Sequence, residues 1–284
     1  MINDKIIKPM LCQLRGSVFN DPDYIWERKY DGVRVIASIN DGSVTLQGRS
    51  GLDKTMQFPE LQDIAVSVKE ATLDGEIVSA NGKSFQDFAQ HRVNRLDDII
   101  LVSEQLPAVY VVFDLLSHDG LDITTEHFCW RRYMLEKVLV PSSIACYTKQ
   151  YEDGVALYQT AVSEKWEGVV GKRLDEPYLY GKRRWLKVKI WQEDIFTAYG
   201  YTPGRGKREG LFGALLLKDK DKEVGEVGTG FTDSCLMSLL SGFEILDKLD
   251  KFVLVSPFSV RIKYLERSNS GQLRFPVFKG IVNE

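Results

Sequence analysis

The stretch from Val33 to Gly51, "VRVIASINDGSVTLQGRSG", sets the first limit on the fold. Two apolar runs flank Asn40-Asp41-Gly42, and a turn of that composition closes an antiparallel hairpin. Further strand-like runs follow at "ATLDGEIVS", which ends in an Asn81-Gly82 turn, and at "AVYVVFDLLSHDG", "EGVVGKR" and "RWLKVKI". Apolar spacing predicts helices over Phe58 to Lys69, with a proline near the start, over "FCWRRYMLEKVL" and over "DGVALYQTAVSEKW". Ser84 with Asp87 three residues on, in "SFQDFAQHRVNR", is a capping-box pattern. Strands with interspersed helices make this part an α+β domain with mixed or antiparallel sheets.

At Trp191 the texture changes. "DIFTAYGYTP", "GALLLKDKD", "KEVGEVGTGF" and "FVLVSPFSVRIKYLE" are short strands between Gly-rich and charged turns, with one helix-like segment, "TDSCLMSLLSGFEIL". Several strands and one helix in so short a stretch suit a small OB-fold β-barrel. The boundary falls between Lys189 and Asp194, giving domains 1–190 and 191–284. A chain of 284 residues, 44% hydrophobic, can fill two cores of that size.

Several classes are set aside. No apolar run approaches the roughly 18 residues of a membrane span. The N-terminal "MINDKIIKPMLCQLRG" carries charges where a signal peptide would be apolar. Cys12, Cys129, Cys146 and Cys235 lie far apart, as do His91, His118 and His127, so no zinc or disulfide framework is expected. Lysine and arginine number 37 against 40 acids, a net charge of −3, so any nucleic-acid contact must be local. The run "GKRRWLKVK", with Lys182, Arg183, Arg184, Lys187 and Lys189 and no acid, is either such a surface or simply a solvated face.

Lys29 beside Asp31-Gly32 in "WERKYDGVRV" reads, alone, as an ordinary turn. Order and spacing along the chain change that. Arg34 follows, then Arg49, Asp74-Gly75-Glu76, Phe113, Glu167-Gly168, Lys172, and finally Lys187 and Lys189. Nearly all stand at the edge of a predicted strand, where several strands can converge on one pocket. A lysine amine is a poor nucleophile while protonated, with an ordinary pKa of about 10.4. Burial and neighbouring cations lower it, and Lys172, Lys187 and Lys189 are the expected sources. The same cations could clamp phosphate, so the set points to attack at phosphorus. Glu76 and Glu167 are hard oxygen ligands for a divalent ion, and Phe113 offers a flat surface to a purine. Neither a Walker A sequence nor a GxGxxG motif is present.

The ordered set resembles the covalent nucleotidyltransferases: DNA ligases, RNA ligases and mRNA capping enzymes. Within them it is most similar to ATP-dependent DNA ligases, above all the ligase module of prokaryotic end-joining (NHEJ) enzymes. "SFQDFAQHR", "GYTPGRGKREGLFGALLLKDKD", "VGEVGTGFTD" and "LRFPVFKG" carry the finer likeness. The resemblance implies an adenylation (nucleotidyltransferase) domain followed by an OB-fold domain. It makes Lys29 the nucleophile that takes AMP from ATP, and Glu27 the reader of the adenine amino group. Arg34 and Arg49 would contact ribose and phosphate, Phe113 would stack on the base, and Lys172, Lys187 and Lys189 would serve the nucleotide. Glu76 would bind ribose or metal, Glu167 would serve the metal, Mg2+ or Mn2+, and Lys182, Arg183 and Arg184 would meet DNA.

The implied activity is sealing of 5′-phosphate/3′-hydroxyl nicks or breaks in duplex DNA, in repair and end joining. The implied setting is a prokaryotic, nucleoid-associated cytoplasmic monomer, away from membranes, working with an end-bridging or polymerase partner. It looks like a stand-alone ligase. The family continues past "PVFKG" into an arginine and an Asp-Lys pair; this sequence reads "GIVNE", with Val282 in the arginine's place. Slow self-adenylation, its loss, another cation such as Arg205, Lys207 or Arg208, or further chain are the alternatives. Two rival readings are an RNA ligase or GTP-dependent capping-type enzyme, and a non-catalytic DNA-binding relic of a ligase.

Overall fold

A computed structural model describes residues 6–82, 96–268 and 270–282. The capping-box stretch "SFQDFAQHRVNR" and His91 lie outside the described residues. The chain divides into two compact units, Met1–Ile190 and Trp191–Glu284.

The first unit contains strands β1 (Leu11–Leu14), β2 (Tyr24–Lys29), β3 (Val33–Asn40), β4 (Ser43–Gly48), β5 (Glu70–Ser79), β6 (Ala108–His118), β7 (Leu121–Asp122), β8 (Ala145–Tyr147), β9 (Gln150–Tyr151), β10 (Gly168–Arg173) and β11 (Arg183–Lys189). Its helices are α1 (Leu96–Gln105), α2 (Phe128–Val138) and α3 (Gly154–Ser163). One sheet runs β1-β11-β10-β2-β9, with β1 parallel to β11. The other runs β4-β3-β5-β6-β7, with β8 parallel to β6. The β3–β4 hairpin turns on Asp41 and Gly42, both at positive φ, the geometry that matches strand twist.

Period-2 alternation assigns each face its job. Val35, Ala37, Leu73 and Val112 point to a core completed by Leu135 and Val138 of α2. On the first sheet, Trp26, Val169 and Val188 pack against Leu157 and Ala161 of α3. The remaining faces meet through Met10, Val170 and Trp185 from one sheet and Ile36, Phe113 and Leu116 from the other. Polar residues on these two inner faces are therefore brought together between the sheets.

Two local expectations are corrected. Phe58 to Lys69 is not a helix: a 3-10 turn covers Pro59–Asp63 only. Beyond it Val66 bridges Leu139, and the Ser67 N–H donates to the Val138 carbonyl, so tertiary pairing overrides helical spacing. Strand β1 and helix α1 carry no strong sequence signal, and neither was anticipated.

The second unit holds β12 (Gln192–Pro203), β13 (Phe212–Asp219), β14 (Lys222–Val227), β15 (Ile245–Lys248), β16 (Val253–Tyr264), β17 (Glu266–Arg267), β18 (Leu273–Arg274), β19 (Val277–Ile281) and α4 (Asp233–Gly242). Its main sheet is antiparallel, ordered β14-β13-β12-β16-β15, with β19 also on β16. Phe196, Phe212, Leu215, Val260 and Ile262 form its core with Leu236 and Leu239 of α4. The Thr232 hydroxyl accepts from the Cys235 N–H at 3.2 Å and caps α4.

Candidate active site

Alternation along three neighbouring strands builds one wall of a pocket. Glu27 and Lys29 on β2, Val170 and Lys172 on β10, and Arg183, Trp185 and Lys187 on β11 all line it. Gly168 faces Lys29 on one side and Lys189 on the other. Glu167, just before it, therefore reaches both lysines: its Oε2 accepts from Lys29 Nζ, and its Oε1 lies 3.1 Å from Lys189 Nζ. The motif glycine is required there, because a Cβ at Gly168 would sit 2.1 Å from the Val188 carbonyl oxygen.

The second sheet supplies the opposite wall. Arg34 and Glu76 stand directly across from each other on β3 and β5, and Phe113 follows on β6. Gly32 lets β3 start close against β5: a Cβ there would meet the Ile77 carbonyl oxygen at 2.0 Å. Arg34 is held by Asp74 through two bonds, Nε at 3.0 Å and Nη2 at 2.7 Å. Tyr178 donates to the same carboxylate at 2.6 Å and accepts from the Met10 N–H. The Phe113 ring lies edge-on to Trp185, with centroids 5.6 Å apart. Arg49 is exposed and lines the same pocket. Glu167 adjoins it through its bond to Lys29, and Lys189 through its bond to Glu167.

Electrostatics differ from the expectation at two lysines. Burial alone would lower the Lys29 ammonium, but bonded Glu167, with Glu76 nearby, outweighs it and holds the pKa above its ordinary value. The expected depression instead falls on Lys187, through burial and then the neighbouring charges of Lys189 and Lys29, against an opposing Cys12. Lys172 is not placed to lower Lys29 or to clamp a phosphate. Its Nζ is 2.7 Å from Glu27 Oε2 and donates to the Phe113 carbonyl at 2.9 Å, with only 1% of the side chain exposed. Glu76 is pushed up to about 7 by burial, with Lys29 and Arg34 opposing.

The basic run is split by strand alternation. Arg183 lines the pocket and donates to the Cys12 carbonyl at 3.0 Å. Arg184 points the other way and pairs with Glu176, while Lys182 is exposed in the preceding turn. Sequence reasoning passed over Tyr178, Gln150, Trp185 and Cys12 as site residues. Only Trp185 had a readable signal, its alternation with Arg183 and Lys187.

No cluster of three or more His, Cys, Asp or Glu is grouped for a metal among the described residues. Two carboxylates do converge on Lys29: Glu167, and Glu76, which has no ion pair among the described residues. That set fits a hard divalent cation that completes its shell with water and phosphate oxygens.

Solved structures share this architecture. A mycobacterial DNA ligase D complexed with ATP and MES matches with a TM-score of 0.56 at 24% identity, over 99% of this chain and 96% of that one. A Lig E DNA ligase matches with a TM-score of 0.65 at 18% identity, over 96% of this chain and 99% of that one. The fold, α+β with mixed sheets and few helices, is that of the nucleotidyltransferase domain of ATP-dependent ligases. A family model described as ATP dependent DNA ligase domain matches residues 9–189, and the chain belongs to that family.

Among curated relatives, the multifunctional non-homologous end joining protein LigD of Mycolicibacterium smegmatis is 30% identical over 96% of this chain. A DNA ligase of Thermococcus onnurineus is 31% identical over 96%. This chain spans only 38% and 54% of the lengths of those two proteins. The SPbeta prophage-derived DNA ligase-like protein LigB of Bacillus subtilis is 28% identical over 96% of this chain and 98% of its own length.

Proposed function

We propose that the chain is an ATP-dependent DNA ligase that seals nicks or breaks in duplex DNA through a lysyl-AMP intermediate. The observation that carries the reading is the setting of Lys29: its amine meets Glu167 in a pocket that also holds Glu27, Phe113, Arg49 and Lys187. Glu27 and Lys29 sit two residues apart on one strand face, about 7 Å along it. One nucleotide can thus present its base to the first and its α-phosphate to the second.

The Lys29 nitrogen attacks the α-phosphorus, the N–P bond forms, and the bond to the bridging oxygen breaks with loss of pyrophosphate. Glu167, already accepting from Lys29, is placed to take its proton. Lys187, Lys189, Arg34 and Arg49 neutralise phosphate charge, and Phe113 stacks on adenine. AMP then passes to a 5′-phosphate, and the 3′-hydroxyl displaces it. Glu76 and Glu167 would hold Mg2+ or Mn2+, which would supply neutralisation of the phosphate charge.

The first unit is read as the adenylation domain and the second as an OB-fold that grips duplex backbone, with Lys182 and Arg183 adding phosphate contacts. Such grip is salt-sensitive and largely sequence-independent. The likeness to end-joining LigD supports a role in break repair.

Incubation with α-labelled ATP should label the protein, and Lys29→Ala should abolish the label. Wild-type protein that fails to seal even pre-adenylated nicked DNA would refute the reading. GTP and RNA-end competitors separate it from capping-type and RNA-ligase activities.

A further inference from the structure

Lys172 is an unusual group to find at full burial. Its ammonium sits 4.7, 4.7 and 4.3 Å from the ring centroids of Phe113, Phe128 and Trp185. Two polar partners complete its surroundings, the Glu27 carboxylate and the Phe113 carbonyl. An ammonium has three donors, and two acceptors plus three ring faces satisfy it fully. It has nothing left for a ligand phosphate, so its effect on a bound nucleotide must pass through Glu27 and Phe113.

Glu27 is equally constrained. Only 2% exposed, it faces Lys172 with Oε2 and accepts from Gln150 Nε2 at 3.2 Å with Oε1. A buried carboxylate stays ionised only when paired, and an ionised carboxylate can only accept hydrogen bonds. Its remaining lone pairs match the amino group at position 6 of adenine. They repel the carbonyl oxygen at that position in guanine or hypoxanthine.

We propose that Lys172 is a positioning residue for nucleotide choice: by holding Glu27 as an acceptor-only carboxylate, it makes the pocket take 6-amino and refuse 6-oxo purine triphosphates. The inference rests on the reading of Lys29 as the adenylated nucleophile. In Lys172→Met the cage keeps a side chain of similar volume, but Glu27 loses its cation. A buried, unpaired carboxylate takes up a proton rather than remain charged. Its O–H then donates, which suits a 6-oxo group. Selectivity should therefore change, not merely rate.

The test is single-turnover labelling of the full chain with ATP, GTP and inosine triphosphate. Wild type should refuse inosine triphosphate as strongly as GTP, since both carry the 6-oxo group. In Lys172→Met the ratio of ATP to inosine triphosphate rates should fall by about tenfold or more, the scale of discrimination lost when a buried donor–acceptor match is removed. If the variant slows with every triphosphate in proportion, Lys172 is only a structural ion-pair partner and the inference fails. Should the variant not fold, the wild-type comparison still decides: ready use of inosine triphosphate alongside refusal of GTP would place discrimination at the 2-amino position and overturn the proposal. Absence of label from every triphosphate would instead remove Lys29 as the adenylated nucleophile, and this inference with it.

Discussion

Replacing Arg131 by methionine should destabilise the first unit by about 3–5 kcal/mol, the cost of breaking a buried ion pair from one side. Asp74 and Asp114 stand directly opposite each other on β5 and β6, both fully buried. Two like charges in that position are tolerable only because each has its own guanidinium. Arg34 binds Asp74, and Arg131 binds Asp114 through Nε and Nη2, both at 2.8 Å. Arg131 Nη1 also donates to the carbonyls of Glu126 and Glu176, which ties α2 to the approach of β11. In Arg131→Met the Asp114 carboxylate keeps the Leu115 N–H but loses its cation beside a second buried acid. Set against a typical stability of about 5–15 kcal/mol, that is roughly a fifth of the total or more. At roughly 2–4 °C per kcal/mol for a unit of this size, the melting temperature should fall by about 6–20 °C. Urea unfolding followed by tryptophan fluorescence reports it, because Trp26 and Trp185 are buried in this unit. The double variant Arg131→Met/Asp114→Leu removes both charges and should recover most of the loss. A single-variant cost below about 1 kcal/mol, the range of exposed pairs, would refute the reasoning, as would a double variant no more stable than the single.

Three further outcomes are expected. Gly32→Ala should cost about 1–3 kcal/mol and slow adenylate formation, since its Cβ would overlap the Ile77 carbonyl and push β3 off β5; unchanged stability and labelling would contradict this. Burial pushes the Cys12 thiol up, against Arg34, Lys29, Lys172 and Lys187, so the reactive thiolate is scarce. Alkylation at Cys12 should be slower than at exposed Cys129, still gaining at pH values where an exposed thiol has levelled off, and slower again with ATP in the pocket; peptide mass mapping would show it. Thr232→Ala should cost the second unit about 1 kcal/mol by uncapping α4, with no change in labelling by ATP in a short incubation; thermal unfolding measures the first and gel autoradiography the second.

Local sequence determined much of this protein. Asn40-Asp41-Gly42 specified a hairpin because its turn geometry needs residues that tolerate positive φ. Two-residue spacing on β2 and on β11 puts Glu27 with Lys29, and Lys187 with Lys189, on common strand faces. The glycines of "KYDG" and "EGVV" mark places where two backbones touch, and the structure supplies the reason in the carbonyls of Ile77 and Val188. Where tertiary contacts compete, local signals lost: helical spacing after Phe58 gave way to a bridge from Val66 to Leu139.

Only the tertiary structure decided which charges meet. Lys172 and Lys187 look alike in sequence, yet one is buried against Glu27 and the other faces the pocket beside Lys29. Arg183 and Arg184 are neighbours in the chain and lie on opposite faces of one strand. A lysine's character depends on its distance to carboxylates and on how much water reaches it. Both are set by residues more than a hundred positions away, as Glu167 is from Lys29. Residue type and strand period could nominate the members of the site. Pairing β2, β10 and β11 in one sheet was needed to bring Glu167 to Lys29, Lys189 towards Lys187 and Lys172 to Glu27, and packing the second sheet across them was needed to bury the site and bring Glu76 near Lys29.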